Sequence, residues 1–166
     1  MSVSLQLLSI DDSDDVYEML QRIGPNEYDF YNAVNGMNKA EYYEWLRLQK
    51  DWSQGKRLPE NYVKQWTYWL MNNGKPIGYG KLREHATEQS KKNGGNIGYA
   101  IDPLWRGKGF GTILFSSLLD KAREFQIPEM YSTVVKPNIA SKLVHLKMHM
   151  KLYAEDEKKW YFYLKL

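Results

Sequence analysis

The sequence contains no cysteine. That excludes disulfide staples, thiolate metal sites and a cysteine nucleophile. The 166-residue chain must therefore be held by its apolar core. A chain of this length can bury such a core, and one domain spanning residues 1–166 is expected. No apolar run approaches the roughly 20 residues of a membrane span. The opening residues Met1-Ser2-Val3-Ser4-Leu5 lack the basic and apolar regions of a secretory signal. A cytoplasmic protein with no membrane partner is the expectation. Excess charge is also scarce: the formal net charge of +3 is too small to argue for a nucleic-acid partner.

Other features are plentiful. There are 13 Tyr and 6 Trp, many of them between Tyr28 and Trp69. Core and interface packing accounts for them; an aromatic-walled substrate pocket is the sharper reading. Asp11, Asp12, Asp14, Asp15, Glu18, Glu27 and Asp29 crowd the first thirty residues. Acids in a first helical turn favour the helix dipole, and they would also attract a cationic amine.

Residues 3–9 alternate apolar and polar, as a strand does. Asp11, Asp12 and Ser13 are N-cap candidates for a helix reaching Arg22, which Gly24-Pro25 ends. A second helix is expected over residues 39–51, with Tyr42, Trp45, Leu46 and Gln49 on one face. Asn73-Gly74 between two apolar runs signals a hairpin, because both residues accept positive φ. Residues 85–95 are polar and read as an exposed loop. Residues 96–101 read as a strand, with Gly98 marking a bulge or a close backbone approach. Leu114, Phe115, Leu118, Leu119, Ala122 and Phe125 recur with helical period, predicting an amphipathic helix over 112–125. A strand over 130–135, a helix from Pro137-Asn138 to about residue 148 and a closing hairpin over 151–166 complete the chain. This order implies an α/β (α+β) fold, with helices on both faces of a mixed, largely antiparallel sheet.

The strand–loop–helix unit around Arg106-Gly107-Lys108-Gly109-Phe110-Gly111-Thr112 carries the chemistry. A helix start aims unpaired N–H groups and a partial positive charge at one point, where phosphate is the usual guest. Glycine allows the guest close to the backbone, and Arg106 and Lys108 add charge. A P-loop is excluded, because Lys108 precedes Gly109 and no Lys-Ser/Thr pair follows. The dinucleotide fingerprint fails at Thr112, where its last glycine would stand. Residues 108–115 nearly match the RNA-recognition signature, but Thr112 replaces a stacking aromatic and the following period is helical.

Arg106-Gly107-Lys108-Gly109-Phe110-Gly111 fits R/Q-x-x-G-x-G/A, and in this the sequence resembles the GNAT superfamily of acetyl-CoA-dependent N-acetyltransferases. The preceding Ile97-Gly98-Tyr99-Ala100-Ile101-Asp102-Pro103 and the later Asn138-Ile139-Ala140-Ser141 share the family's look. The resemblance covers about residues 75–148, and Ile97-Gly98-Tyr99 is similar to a poorly characterised bacterial branch. It implies acetyl-CoA as cosubstrate, no metal, and a small-molecule or peptide amine as acceptor. It also implies that backbone amides of residues 106–112 hold the pyrophosphate. Backbone groups of Ala100 and Ile101 would pair with the pantetheine arm, and Asn138 and Ser141 would touch its far end. Strands 96–101 and 130–135 would splay apart to admit the thioester. The family often places a tyrosine seven residues after this asparagine as proton donor to the thiolate; here that residue is His145. The usual glycine near the helix end is replaced by His149 or Met150.

The expected reaction is direct attack of an amine on acetyl-CoA in a ternary complex, favoured by proximity. Backbone N–H groups of a bulged strand near Tyr99 would polarise the carbonyl. Glu84 or His85 would take the ammonium proton, and His145 would supply one to the leaving thiolate. The alternatives are a non-catalytic CoA-binding or regulatory module and an RNA-binding domain. Exposed aromatics in the closing hairpin would suit a homodimer contact.

Overall fold

Helix α1 (Asp14–Arg22) begins where the acidic cluster predicts, with Ser13 as N-cap and Asp14 and Asp15 in its first turn. It buries Val16, Met19 and Leu20, the i, i+3, i+4 stripe of an amphipathic helix. Helix α2 (Lys39–Ser53) is capped by the Asn38 side chain, which accepts from Glu41 N–H at 2.9 Å. It buries Tyr42, Trp45, Leu46 and Gln49, as their spacing predicts. Between these helices lies a short ribbon, β2 (Asn26–Glu27) and β3 (Phe30–Tyr31). Its turn residues Tyr28 and Asp29 both have positive φ, 48° and 66°. The computed structural model describes residues 2–166.

Strand β1 (Val3–Leu7) pairs with β4 (Gln65–Asn72), which forms the predicted hairpin with β5 (Lys75–Arg83). Asn73 and Gly74 take φ of 49° and 79°, the two positive values of a type I′ turn. Strand β6 (Ile97–Ile101) pairs with β5 in unbroken register from Gly78↔Ile101 to Leu82↔Ile97. The bulge expected at Gly98 is therefore elsewhere. Leu70 pairs with Gly78 and Met71 with Pro76, so Ile77 is the extra residue and β5 carries the irregularity. The polar stretch read as a loop contains a short helix, α3 (Glu88–Lys92), closed by a capping box between Thr87 and Ser90. Helix α4 (Phe110–Glu124) starts two residues before the predicted position. Phe125 lies just beyond it, half-exposed, and stacks on Trp66 at 4.6 Å.

The remaining elements are β7 (Glu129–Val135), α5 (Ile139–Lys147), β8 (Lys151–Glu155) and β9 (Lys159–Lys165). The strands form two main antiparallel sheets, in orders β1-β4-β5-β6 and β7-β9-β8. On one face of the first sheet, Trp69 and Tyr79 pack with α1 and α2. On the other, Leu70, Ile77, Leu82, Ile97 and Ile101 pack with α4. Gly78 and Gly80 let α4 sit close, since a Cβ on either would lie 3.0 Å from Leu114 or Leu118.

The two sheets meet at one end only. Asn96, fully buried, donates from its backbone to Tyr131 O (3.0 Å) and accepts from Tyr131 N–H (2.7 Å). Its amide also reaches Glu129 O at 3.1 Å. Beyond this seam β6 and β7 do not pair, and the gap between them opens toward Ile101. The corner after β6 is held by the buried carboxylate of Asp102. It accepts from Arg22 of α1 at 2.7 and 2.9 Å and from Leu104 N–H at 3.0 Å.

Candidate active site

The gap between β6 and β7 is the floor of a cavity of about 580 Å³. Its lining runs from Arg106, Gly107, Gly109, Gly111 and Thr112, past Tyr99 and Ser132, to Glu27, Tyr28, Asp29 and Gly94. The cavity is thus bounded by the glycine loop at one side and the β2–β3 turn at the other.

The glycine loop has the geometry of an anion seat. Gly107 and Gly109 have φ of 74° and 86°, and a Cβ on either would meet no atom within 4 Å. Gly109 is the N-cap of α4. Among the described residues, no protein acceptor takes the N–H groups of residues 107–112. Unpaired donors at a helix start, with open space before them, suit a diphosphate. The two loop cations differ. Lys108 lies over the Trp105 ring at 5.0 Å and pairs with no acid among the described residues. Arg106, expected to face phosphate, donates from Nε to Ile101 O (2.9 Å) and pairs with Glu27 at 2.7 Å. Its charge is therefore partly neutralised, and it ties the loop to the β2–β3 ribbon. Phe110 is buried against Trp105 as the first residue of the helix.

Strand register decides which backbone groups face the cleft. Asp102 N–H donates to Ile77 O, and Arg83 N–H donates to Asn96 O. Antiparallel bonding alternates along the strand. Ala100 and Gly98, in step with those two positions, therefore bond toward β5, while Tyr99 and Ile101 aim their N–H and C=O groups at the cleft. The expectation for Ala100 is corrected by this parity, since its backbone is spent on the ladder. Ile101 keeps its N–H, although its carbonyl already accepts from Arg106.

Side chains on the opposite wall come from α5. Asn138 caps that helix by accepting from Ser141 N–H at 3.3 Å, so its NH₂ group is left for the cavity. Tyr99 donates its hydroxyl to Ser141 Oγ at 3.2 Å, and burial raises the phenol above its usual pKa. His145 lies between Phe115 and Phe162, 2% exposed. Its Nδ1 is 2.7 Å from Ser141 O, which can only accept, so Nδ1 carries the proton. Nε2 then accepts from Ser132 Oγ at 2.7 Å. Burial pushes this imidazole down to about 4. It is neutral at pH 7, with its one proton committed to a carbonyl. That geometry makes His145 a tie between α5 and β7 instead of the thiolate's acid. Of the two residues that could replace the glycine, His149 occupies the left-handed helix exit, with φ of 64°.

Glu84 is not brought to the cleft. It lies beyond the Asn96 seam, at the closed end of the gap, where its backbone donates to Lys64 O and its carboxylate accepts from Lys64 N–H at 3.4 Å. His85 lines a separate cavity. Sequence reasoning missed Ser132, Glu27 and the Tyr28-Asp29 turn. The first two carry no local signal, and the turn residues are unusual non-glycine choices for positive φ. Among the described residues, no group of three or more His, Asp or Glu is placed to hold a metal ion. Among the described residues, no helix is long and apolar enough to cross a membrane.

Comparison with known proteins gives the same assignment. No curated protein matches the sequence significantly. Solved structures do match the fold. The N-acetyltransferase PseH of Campylobacter jejuni is 18% identical, with 98% of this chain and 97% of that one covered and a TM-score of 0.63. The putative acetyltransferase yncA of Salmonella typhimurium, solved with its cofactor acetyl-CoA, is 14% identical over 100% and 95% of the chains, with a TM-score of 0.65. The paia N-acetyltransferase of Thermoplasma acidophilum, solved with coenzyme A, is 18% identical over 100% of both chains, with a TM-score of 0.64. The family model for the acetyltransferase (GNAT) family matches residues 17–150. The chain is a member of the acetyltransferase (GNAT) family.

Proposed function

We propose that the protein transfers the acetyl group of acetyl-CoA to a primary amine that attacks the thioester directly in a ternary complex. The observation that carries this reading is the row of unpaired N–H groups at residues 107–112, opening into the same cavity as Tyr99 and Ser141. Those amides, with Lys108, hold the pyrophosphate. The pantetheine arm lies along β6 as an added strand, using the cleft-facing groups of Tyr99 and Ile101. Asn138 reaches it from the start of α5.

Tyr99 N–H then polarises the thioester carbonyl, a donor fixed in place before charge develops. The amine enters past Tyr28 and Gly98 and gives its proton to water at that mouth. A C–N bond forms as the C–S bond breaks, and the thiolate takes a proton from Ser141 Oγ. Tyr99, protonated at neutral pH, restores that proton through their hydrogen bond, and solvent water carries the second proton lost by the acylated nitrogen back to the phenolate. His145 and Ser132 hold Ser141 and α5 in register. Leu152 and Tyr153, exposed on β8, support a homodimer contact; a single-chain mass by light scattering would remove that part.

The test is thiol release from acetyl-CoA across polyamines, amino acids, peptide N-termini, lysine side chains and aminoglycosides, with the products weighed. Amine-dependent thiol release with a matching N-acetyl product is expected for at least one class. Release that no amine accelerates would overturn the transfer reaction.

A further inference from the structure

Strand β5 carries two cations on the face it turns to α1 and α2. Lys81 packs over Phe30 at 4.4 Å and Tyr79 at 5.2 Å, and its ammonium donates to Tyr31 O. Arg83, two residues on, donates from Nε to Gln65 Oε1 (3.0 Å) and from Nη1 to Gly95 O (2.8 Å). A guanidinium has five N–H groups, so three find no protein acceptor among the described residues. Neither cation has a carboxylate within ion-pair distance there, whereas Arg22, Lys39, Arg106 and Lys159 all do. Burial, with Arg83 nearby, pushes Lys81 down to about 7, and burial also lowers Arg83. Both keep some surface in solvent. Two neighbouring cations taken partly out of water without a counter-charge are electrostatically costly.

Arg83 also lines a second cavity, of about 400 Å³, with Asn61, Tyr62, Thr87, Ser90 and Asn93. These are neutral polar groups suited to an oxyanion. His85 and the exposed Glu60 also line it, and among the described residues Glu60 does not pair with Arg83. The turn over residues 93–95 divides this cavity from the cleft: Asn93 lines one and Gly94 the other. Arg83 is hydrogen-bonded to that divide through Gly95 O. Along β6, its partner Asn96 is two residues from Gly98 in the cleft wall, about 7 Å at the rise of a strand.

We infer that the Arg83 cavity receives an anionic group, carboxylate or phosphate, carried by the acceptor, whose amine reaches the thioester past Gly98. This rests on the transfer reaction proposed above. The acceptor class is thus an amine whose oxyanion lies about 7 Å or more from it. The anion completes the bonding of Arg83 and offsets the repulsion between Arg83 and Lys81. Arginine suits the task because its planar fork can bind two oxygens at once.

The protein, free and with coenzyme A, is titrated calorimetrically with malonate and with inorganic phosphate at constant ionic strength. In parallel, turnover of 6-aminohexanoate is compared with hexylamine, and of 6-aminohexyl phosphate with 6-aminohexanol. Saturable binding of malonate or phosphate is expected, weakened about tenfold or more in Arg83→Met, the scale of a charge-assisted hydrogen bond. The preferred anion tells which acidic amine turns over better than its neutral analogue, and Arg83→Met erases that preference. Arg83→Lys, retaining the charge, covers the case in which the methionine variant does not fold, and should bind more weakly than the wild type. Absence of saturable binding by either anion, or undiminished binding in these variants, overturns the inference. Failure to bind coenzyme A would instead defeat the transfer reaction, and the titration of the free protein would still decide this site.

Discussion

Replacing Gly109 with alanine adds one methyl group at the point where the diphosphate is placed. Gly109 has φ of 86° and ψ of 0°, and its Cβ would meet no protein atom within 4 Å. The protein therefore feels only the backbone cost of holding an L-residue in the left-handed region, about 1–2 kcal/mol. Gly36 is a matched control, with φ of 89°, the same empty surroundings and no place in either cavity. Gly109→Ala and Gly36→Ala should lower the melting temperature similarly, by about 2–8 °C for a domain of this size. Only Gly109→Ala should lose acetyl-CoA affinity, by about tenfold or more, because its methyl obstructs close approach to the amides. Calorimetry with acetyl-CoA on both variants reads the difference. Equal affinities would refute the placement of the diphosphate on this loop.

Tyr99→Phe should lower kcat by about 10²-fold, the low end for a positioned acid, while leaving the acetyl-CoA dissociation constant unchanged; equal losses in both would make Tyr99 structural. His145, pushed from 6.5 to about 4, favours folding fully above pH 6.5, and this contribution is lost as pH falls through 4. Urea unfolding should show about 3 kcal/mol less stability from this residue across that window, and His145→Gln should flatten the slope. Gly95→Ala should destabilise by about 2–5 kcal/mol, from left-handed strain and overpacking, because its Cβ would lie 1.9 Å from Tyr131 O at the β6–β7 seam. A melting temperature matching that of Gly36→Ala would contradict this account of the seam.

What the sequence discloses is what local physics determines. The Asn73-Gly74 turn, the buried stripe of α2 and the apolar stripe of α4 each depend on neighbours within a few residues. What it conceals depends on pairs far apart. Whether Ala100 or Tyr99 faces the cleft is a question of parity. The β5 register answers it, and that strand carries its irregularity at Ile77, not at Gly98. Arg106 reads as a phosphate ligand until Glu27, 79 positions earlier in the sequence, is folded against it. Glu84 reads as a base because it ends a hairpin strand where it could face the acceptor, yet the Asn96 seam puts it at the closed end of the gap. Helix α3 escaped because a five-residue polar helix has no apolar stripe; its sign was the Thr87–Ser90 capping box alone.

The central claim is that the loop at residues 107–112 seats acetyl-CoA. Thermal unfolding with and without the ligand tests it most directly. At about 100 times the dissociation constant, acetyl-CoA should add roughly 2.7 kcal/mol, raising the melting temperature by about 5–10 °C. An unchanged melting temperature at millimolar acetyl-CoA would contradict it.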